Sequence, residues 1–268
     1  MNWMKKVAVA LVCLLPLGLQ AAKVDTLQVK SPSMNKSIEV VVVSPDVAAT
    51  KACPVIYLLH GYGGNARTWV GIKPDLSKIA DEKGIFFVCP DGKNTWYWDS
   101  PLNADVRYET FISDELVKYV DSHYKTVADR KGRAITGLSM GGHGLRHSDV
   151  FSAAGSTSGG VDIRPFPKNW EMSVQIGEKA KYPENWEKYT VINLVPTLRK
   201  DQIALIFDCG DSDFFLEVNK NYHEALLKQG IDHDFITRPG NHDSQYWNNS
   251  IDYQILFFWK HFLKMKAL

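Results

Sequence analysis

The stretch Gly137–Phe151, GLSMGGHGLRHSDVF, contains the strongest local signal in the 268-residue chain. Its first five residues match the pattern Gly-x-Ser-x-Gly, and the preceding Ala134–Thr136 has the character of a short buried strand. A serine in a sharp turn between a strand and a helical segment projects its hydroxyl from the top of a parallel sheet. The stretch therefore predicts an α/β fold in which Ser139 stands at the end of a strand.

Short apolar runs, separated by longer segments, extend this pattern along the chain. Continuous apolar runs are typical of parallel strands that are covered on both faces. An early antiparallel strand is predicted at 37–44, and further strands at 55–59, 85–89, 134–137, 153–156, 203–208 and 234–237. Helices are predicted between them at 74–83, 108–124, 217–229 and 245–264. This alternation predicts a doubly wound, mostly parallel sheet with helices on both faces.

One segment interrupts the alternation. Asp162–Lys200 is rich in Pro, Lys, Glu and Trp and lies between two predicted strands. We interpret it as an inserted excursion over one edge of the sheet. It either lines a substrate cleft or covers the core, and the sequence does not choose between these two roles.

The first 22 residues have the order of a secretory signal peptide. Met1–Lys6 carries two lysines, Val7–Leu15 is apolar, and Ala21 and Ala22 are small. The apolar run is too short to span a bilayer, so no stable membrane anchor is predicted. We expect cleavage near these alanines, a periplasmic or secreted location, and a single α/β domain over residues 23–268.

Charge and cysteine content narrow the class of protein further. The net charge is +1 and no basic cluster stands out, so nothing favours a nucleic-acid partner. Cys53, Cys89 and Cys209 follow the leader, and an odd number leaves at least one thiol unpaired within the chain. Buried thiols at strand ends and a disulfide joining two of the three both remain open.

A serine nucleophile needs a histidine base and a carboxylate that orients the histidine. In folds of this kind the order along the chain is serine, acid, histidine. His242 lies in a polar loop after the last predicted strand, where the base is expected. The loop after strand 203–208 offers Asp211 and Asp213 at the carboxyl end of that strand, and one of them can instead cap the next helix. Residue chemistry alone leaves this choice open.

The oxyanion that forms during ester cleavage needs two fixed N–H donors. Met140, the residue after the serine, supplies one. The glycine-rich loop His60–Gly64 follows strand 55–59, and the N–H of Tyr62 is the predicted second donor. Trp96 and Trp98 follow strand 85–89 and are predicted to bind an acyl or sugar group, with core covering as the alternative.

Four motifs in combination resemble the esterase D-like group of α/β-hydrolases, which includes tributyrin, feruloyl and acetyl-xylan esterases, S-formylglutathione hydrolases and mycolyltransferases. The motifs are HGYGG at 60–64, GLSMGGHG at 137–144, CGDSD at 209–213 and GNHD at 240–243. The resemblance covers nearly all of the chain after the leader. It implies an α/β-hydrolase fold with Asp213 as the acid beside Ser139 and His242, and with Tyr62 and Met140 at the oxyanion positions.

The resemblance also implies the chemistry. It predicts a serine carboxylesterase that hydrolyses short-acyl or carbohydrate-linked esters, such as acetyl or feruloyl esters, through an acyl-enzyme. An acyltransferase of the same fold is an alternative. His143 and His147 have the helical spacing of a metal pair but lack the glutamate of H-E-x-x-H. No metal, no other cofactor and no particular oligomeric state is therefore predicted.

The segment after the serine departs from the resembled group. Met140–His147 would give about 12 Å of helix at ~1.5 Å per residue, and the connection as a whole barely reaches the dozen residues of a parallel crossover. Relative to the resembled group, roughly five or six residues of the helix after the nucleophile are absent. A shortened helix predicts weaker packing under Ser139. The further alternative is therefore a catalytically impaired relative that binds glycan or lipid.

Overall fold

A computed structural model describes residues 22–142 and 144–268. Its eight strands form one sheet in the order β1-β2-β4-β3-β5-β6-β7-β8. The strands are β1 (Lys23–Ser31), β2 (Lys36–Ser44), β3 (Val55–Leu59), β4 (Phe86–Pro90), β5 (Arg133–Gly137), β6 (Ala153–Thr157), β7 (Ala204–Gly210) and β8 (Asp234–Arg238). β2 pairs antiparallel with both β1 and β4, and the other pairs are parallel. The predicted mostly parallel α/β-hydrolase sheet is confirmed, whereas the predicted leader over residues 1–22 lies almost wholly outside the described residues.

The strand β1 is the one element of the sheet that the sequence analysis missed. Among the described strands it is an edge strand that pairs with β2 alone, residue by residue from Lys23 opposite Ser44 to Ser31 opposite Lys36. Most of its side chains are exposed or half-buried. A strand that covers so little core lacks the continuous apolar run by which β3 and β4 are recognised.

Helices cover both faces of the sheet, as predicted. They are α1 (Thr68–Ile72), α2 (Leu76–Lys83), α3 (Tyr108–Thr110), α4 (Leu116–His123), α5 (Met172–Ile176), α6 (Pro183–Tyr189), α7 (Leu216–Gln229) and α8 (Ser244–Lys264), and a π-helical turn, Phe111–Glu115, joins α3 to α4. One apolar core lies between the sheet and α4 and α7, and the other lies between the sheet and α1, α2 and α8. Alternate residues of β2 and β3 point into the two cores, because strand side chains alternate between faces.

Helix ends follow their local signals. Gly230 ends α7 with a φ angle of +71°, the left-handed conformation in which glycine carries no steric penalty. Asp243 begins α8, and its side chain accepts a hydrogen bond of 2.9 Å from the N–H of Tyr246. This cap fixes the first turn of α8 directly after the loop that carries His242.

The connection from β5 to β6 is shorter than a regular helical crossover. Within the described residues it contains two 3-10 turns, Ser139–Gly141 and Gly144–His147, and no α-helix. The predicted short helical segment is thus corrected to 3-10 turns, because tighter winding spans a given length with fewer residues. Polar contacts hold the second turn. Arg146 Nη2 donates to Lys188 O at 2.5 Å, and His147 Nε2 lies 3.0 Å from Glu109 Oε1.

Glu109 is the acidic anchor of this connection. Burial opposes its ionisation, but the hydrogen bond from His147 and the charge of Arg146 outweigh burial and hold the pKa of Glu109 below its ordinary value. The carboxylate is therefore charged at neutral pH. Polar contacts thus take the place of the apolar helix face that the short connection lacks. His143, the other half of the histidine pair noted in the sequence, lies outside the described residues.

The excursion from Asp162 to Lys200 contains α5, α6 and the 3-10 helix Val191–Thr197. Trp186 and Tyr189 anchor it in the core, and the N–H of Ile192 donates to Val161 O at 3.0 Å. The excursion leaves the sheet after β6 and returns at β7, which are neighbouring strands. It therefore crosses from the carboxyl end of β6 to the amino end of β7 on the face of the sheet that also carries α4 and α7.

Two further findings concern the membrane and the thiols. No helix within residues 22–142 and 144–268 has the length and apolar character needed to cross a bilayer. In the same residues Cys53, Cys89 and Cys209 are buried and unpaired, so the disulfide that the sequence left open is not formed. Burial raises the pKa of Cys89 and of Cys209. These thiols are packing groups in the core.

Candidate active site

Ser139 occupies a strained turn directly after β5. Its φ angle is +52°, a region that residues other than glycine seldom adopt. The flanking glycines are required by close packing. A Cβ on Gly137 would lie 2.5 Å from Gly141 O, and a Cβ on Gly141 would lie 2.6 Å from Leu59 O. The turn therefore presents Ser139 at the carboxyl edge of the sheet, in the position that the Gly-x-Ser-x-Gly pattern predicts.

Three polar side chains meet at this edge from three different loops. His242 Nε2 lies 2.9 Å from Ser139 Oγ, and His242 Nδ1 lies 2.9 Å from Asp213 Oδ2. A carboxylate can only accept, so Nδ1 carries the proton and Nε2 is left to accept from the serine hydroxyl. The arrangement is that of a nucleophile, a base and an orienting acid.

The structure separates the two candidate acids. The side chain of Asp213 has no exposed surface, and its second oxygen, Oδ1, accepts from the N–H of Phe215 at 2.8 Å. Asp211 is exposed and accepts instead from the N–H of Gly240, at 3.2 Å. Asp213 thus contacts His242, while Asp211 ties the β7 loop to the loop that carries the histidine.

The glycine-rich loop after β3 lies against the serine. A Cβ on Gly61 would lie 3.3 Å from Ser139 Cβ. The N–H of Gly63 donates to Asn94 Oδ1 at 2.8 Å, and the N–H of Gly64 donates to Gly61 O at 3.0 Å. In the described part of the chain the N–H of Tyr62 meets no acceptor, so it remains available to a ligand beside Ser139.

The loop after β4 contacts the glycine-rich loop through the side chain of Tyr97. The hydroxyl of Tyr97 accepts from the N–H of His60 at 2.8 Å and lies 3.3 Å from His60 O. Burial raises the pKa of Tyr97 well above its ordinary value, so the hydroxyl keeps its proton. Tyr97 was not singled out by sequence reasoning. Its signal is its place at the centre of the TWYWD run, residues 95–99, in the loop after β4.

The predicted substrate contacts of Trp96 and Trp98 need correction. The two residues are 1% and 0% exposed, and their rings stack on each other with centroids 5.4 Å apart. Trp96 also donates from Nε1 to Trp170 O at 3.1 Å. Both indoles fill the space between the β4 loop and the excursion, which is the core-covering alternative.

A different pair of aromatic residues lies beside the triad. The ring of Phe214 is stacked on Trp170, with centroids 5.5 Å apart and planes 22° apart, and it lies 4.3 Å from the His242 ring. Phe214 is nonetheless 50% exposed. Sequence reasoning missed both residues, although Phe214 directly follows the acid and Trp170 lies in the excursion noted for its tryptophans.

The excursion also approaches the oxyanion loop. Trp170 and Glu171 have φ angles of +48° and +52°, two strained residues in succession. Partial burial and a hydrogen bond to Glu171 raise the pKa of the Tyr62 hydroxyl. The excursion therefore contacts Tyr62 through Glu171 and Phe214 through Trp170.

Comparisons with known proteins agree with this arrangement. A family model described as "Putative esterase" matches residues 31–258. The acetyl esterase of Caldicellulosiruptor saccharolyticus is 25% identical over 219 residues, which are 73% of this chain and 79% of that protein. The endo-1,4-beta-xylanase/feruloyl esterase of Xylanibacter ruminicola is 28% identical over 208 residues, which are 69% of this chain and 24% of that protein.

Solved structures match over a similar extent. A ferulic acid esterase is 28% identical and superposes with a TM-score of 0.76, covering 90% of this chain and 100% of that one. The family match spans most of the chain and includes all four motifs on which the resemblance was based. The predicted resemblance is confirmed: the chain belongs to the esterase D-like family of α/β-hydrolases and is a serine esterase.

Proposed function

We propose that Ser139, His242 and Asp213 are the catalytic triad of a carboxylesterase. The observation that carries this proposal is the unbroken pair of 2.9 Å contacts from Ser139 through His242 to the buried Asp213. A histidine in this arrangement can take the serine proton through Nε2. The strained turn keeps the serine oxygen within reach of both the base and the substrate.

The first half of the reaction transfers the acyl group to the enzyme. Ser139 Oγ attacks the ester carbonyl while His242 Nε2 takes the hydroxyl proton. The N–H groups of Tyr62 and Met140 hold the carbonyl oxygen as it becomes negative. His242 then gives the proton to the leaving alkoxide, the C–O bond breaks, and an alcohol departs.

The second half repeats these steps with water. His242 takes a proton from water, the hydroxide attacks the acyl carbonyl, and the proton returns to Ser139 Oγ as the acid leaves. Asp213 stays ionised and stabilises the imidazolium in both halves. An alcohol acceptor in place of water would make the same site an acyltransferase.

The proposed substrates are short-acyl or carbohydrate-linked esters, including acetyl and feruloyl esters. The exposed ring of Phe214, backed by Trp170, offers a flat apolar wall beside His242. Two of the relatives carry feruloyl or ferulic acid esterase activity in their names, and one carries acetyl esterase activity. We further propose export to the periplasm or the exterior, on the basis of the leader pattern in residues 1–22.

A catalytically impaired binding protein is the second candidate. The observation that favours it is the connection of 3-10 turns after Ser139, which provides little helix to hold the nucleophile in place. A displacement of about 1 Å can lower a rate roughly 10²-fold. A nucleophile displaced in this way would leave the chain able to bind an ester without turning it over.

The test is burst kinetics with p-nitrophenyl acetate, followed by a panel of acetyl, butyryl and feruloyl esters. We expect a burst of p-nitrophenol equal to the enzyme concentration and steady turnover after it. Ser139→Ala should abolish the burst, whereas Ser122→Ala, on the exposed side of α4, should behave as the parent. A parent protein without burst or turnover would favour the binding protein. A burst that survives in Ser139→Ala would refute the assignment of the nucleophile.

A further inference from the structure

The side chain of His60, which the proposed mechanism does not use, is in contact with the oxyanion loop. It is 1% exposed and lies under the glycine-rich turn that it begins. Nδ1 is 2.7 Å from Gly61 O, and Nε2 accepts from the N–H of Gly92 at 2.8 Å. Asp91 Oδ1 is farther from Nε2, at 3.5 Å.

These two neighbours determine the tautomer of the ring. A backbone carbonyl can only accept, so the nitrogen facing Gly61 O must carry a proton. A backbone N–H can only donate, so the nitrogen facing Gly92 must not carry one. His60 is therefore neutral, with its proton on Nδ1.

The hydrogen bond to Gly61 O sets the direction of the adjacent N–H. Gly61 C=O and Tyr62 N–H belong to one planar, trans peptide unit, in which the two bonds point to opposite sides. His60 Nδ1–H and the N–H of Gly64 both hold Gly61 O on the inner side of the loop. The N–H of Tyr62 must then point away from the His60 ring, on a loop that reaches Ser139 at Gly61.

We propose that His60 is a positioning residue for the oxyanion hole: its Nδ1–H fixes the Gly61–Tyr62 peptide so that the N–H of Tyr62 faces the reacting carbonyl. The proposal rests on the proposed function, since it takes Tyr62 as an oxyanion donor. His60 itself touches neither substrate nor nucleophile. It is held in turn by Gly92 through Nε2 and by the Tyr97 hydroxyl at its backbone.

Two near-isosteric substitutions separate the two hydrogen bonds of the ring. The amide nitrogen of asparagine is as many bonds from Cβ as Nδ1 is, so His60→Asn can keep the donor to Gly61 O. The amide oxygen of glutamine is as many bonds from Cβ as Nε2 is, so His60→Gln can keep the acceptor for Gly92 but loses the donor. If the buried ring had a purely structural role, His60→Asn would not be more active than His60→Gln, although only His60→Asn keeps the donor to Gly61 O.

We expect kcat for p-nitrophenyl acetate to fall about 10²- to 10³-fold in His60→Gln, the usual loss for one oxyanion donor. In His60→Asn it should fall less than about tenfold, and KM should change little in either variant because the donor acts on the transition state. The inhibition constant of phenylboronic acid, which forms a tetrahedral adduct with the serine, should rise in parallel with the loss of kcat. Equal losses in both variants, or losses confined to KM, would overturn the proposal.

A second measurement needs neither activity nor a variant that folds. In ¹⁵N-labelled parent protein, the His60 ring should give a protonated Nδ1 and an unprotonated Nε2 across neutral pH. A proton on Nε2 would overturn the proposal even in a fully active enzyme. A parent protein that shows the expected tautomer but no turnover would instead count against the proposed function alone.

Discussion

Replacing Asp213 by asparagine tests the triad through its least exposed member. Asp213 Oδ1 accepts from the N–H of Phe215, and Oδ2 faces His242 Nδ1. In Asp213→Asn the amide oxygen must stay with the N–H of Phe215, so the NH₂ group faces His242. The imidazole then has to accept at Nδ1 and carry its proton on Nε2. A protonated Nε2 cannot take the proton of Ser139, so the base is lost although the shape of the site is kept.

The size of the effect follows from the same geometry. Two unit charges about 4 Å apart interact by about 4 kcal/mol at an effective dielectric constant of ~20. Losing the carboxylate charge would therefore slow the formation of the imidazolium by about 10³-fold, at 1.36 kcal/mol per decade. The unfavourable tautomer adds roughly one further decade. We therefore expect kcat to fall about 10⁴-fold, similar to the loss seen for this change in other triads.

Asp211→Asn is the matched control, because it makes the same chemical change two residues away. Asp211 contacts the N–H of Gly240 and does not contact the histidine. We expect less than a tenfold loss of kcat in this variant, with circular dichroism of both variants matching the parent. A larger loss in Asp211→Asn than in Asp213→Asn would show that the wrong carboxylate was assigned. Activity within tenfold of the parent in Asp213→Asn would refute the role of the charge.

Three further predictions concern the 3-10 connection after Ser139, the exposed ring of Phe214 and the pH dependence of stability. An insert of Ala-Leu-x-Leu-Ala after Gly144 should raise Tm by about 5 °C or more, since each buried leucine contributes about 1.5–3 kcal/mol. An unchanged Tm and an unchanged rate of ester hydrolysis would show that the 3-10 connection already supports Ser139 fully. Phe214→Ala should lower kcat/KM for feruloyl esters about tenfold but barely for acetyl esters, because about 1.4 kcal/mol of aromatic contact is lost. The exposed Leu227→Ala is the control. Equal losses for both esters would show that Phe214 does not contact the feruloyl ring. The pKa of Glu109 is lower in the folded protein than in the unfolded chain, so its carboxylate stabilises the fold above the unfolded pKa, and this stabilisation is lost as pH falls through the folded pKa. Glu109→Gln should therefore lower Tm at pH 7 and melt like the parent in strong acid. A difference in Tm that stays constant across pH would contradict this prediction.

Much of the fold could be predicted because its signals are local. The strands β3 and β4 are buried on both faces, so their sequences are apolar without interruption. The edge strand β1 could not be recognised in the same way, since its pairing with β2 depends on a partner elsewhere in the chain. The 3-10 turns after Ser139 also have no sequence signature of their own, because they result from too few residues between two fixed strands.

The reacting groups of the site were more predictable than its walls. Ser139 and His242 could be predicted because a triad needs these residue types in the loops that follow particular strands. The roles of Trp96 and Phe214 depend instead on which side chains meet in three dimensions. Both are aromatic residues next to strand ends, yet one is buried and the other half-exposed. The choice between Asp211 and Asp213 likewise depends on the direction of two side chains in one loop. Sequence alone does not contain these directions.

The excursion between β6 and β7 carries residues that border the proposed substrate site but belongs to a different part of the chain from the reacting groups. The proposed triad and oxyanion donors stand on strand ends, whereas Trp170 and Glu171 belong to a segment that leaves the sheet at one strand and rejoins it at the next. Natural variation can therefore exchange or lengthen this segment with little effect on the sheet. A mutant library confined to residues 168–171, which leaves the buried Trp186 and Tyr189 unchanged, should likewise alter substrate preference while the rate of acyl-enzyme formation on a minimal acetyl ester stays constant. Substrate range and catalytic power would then evolve as largely independent traits.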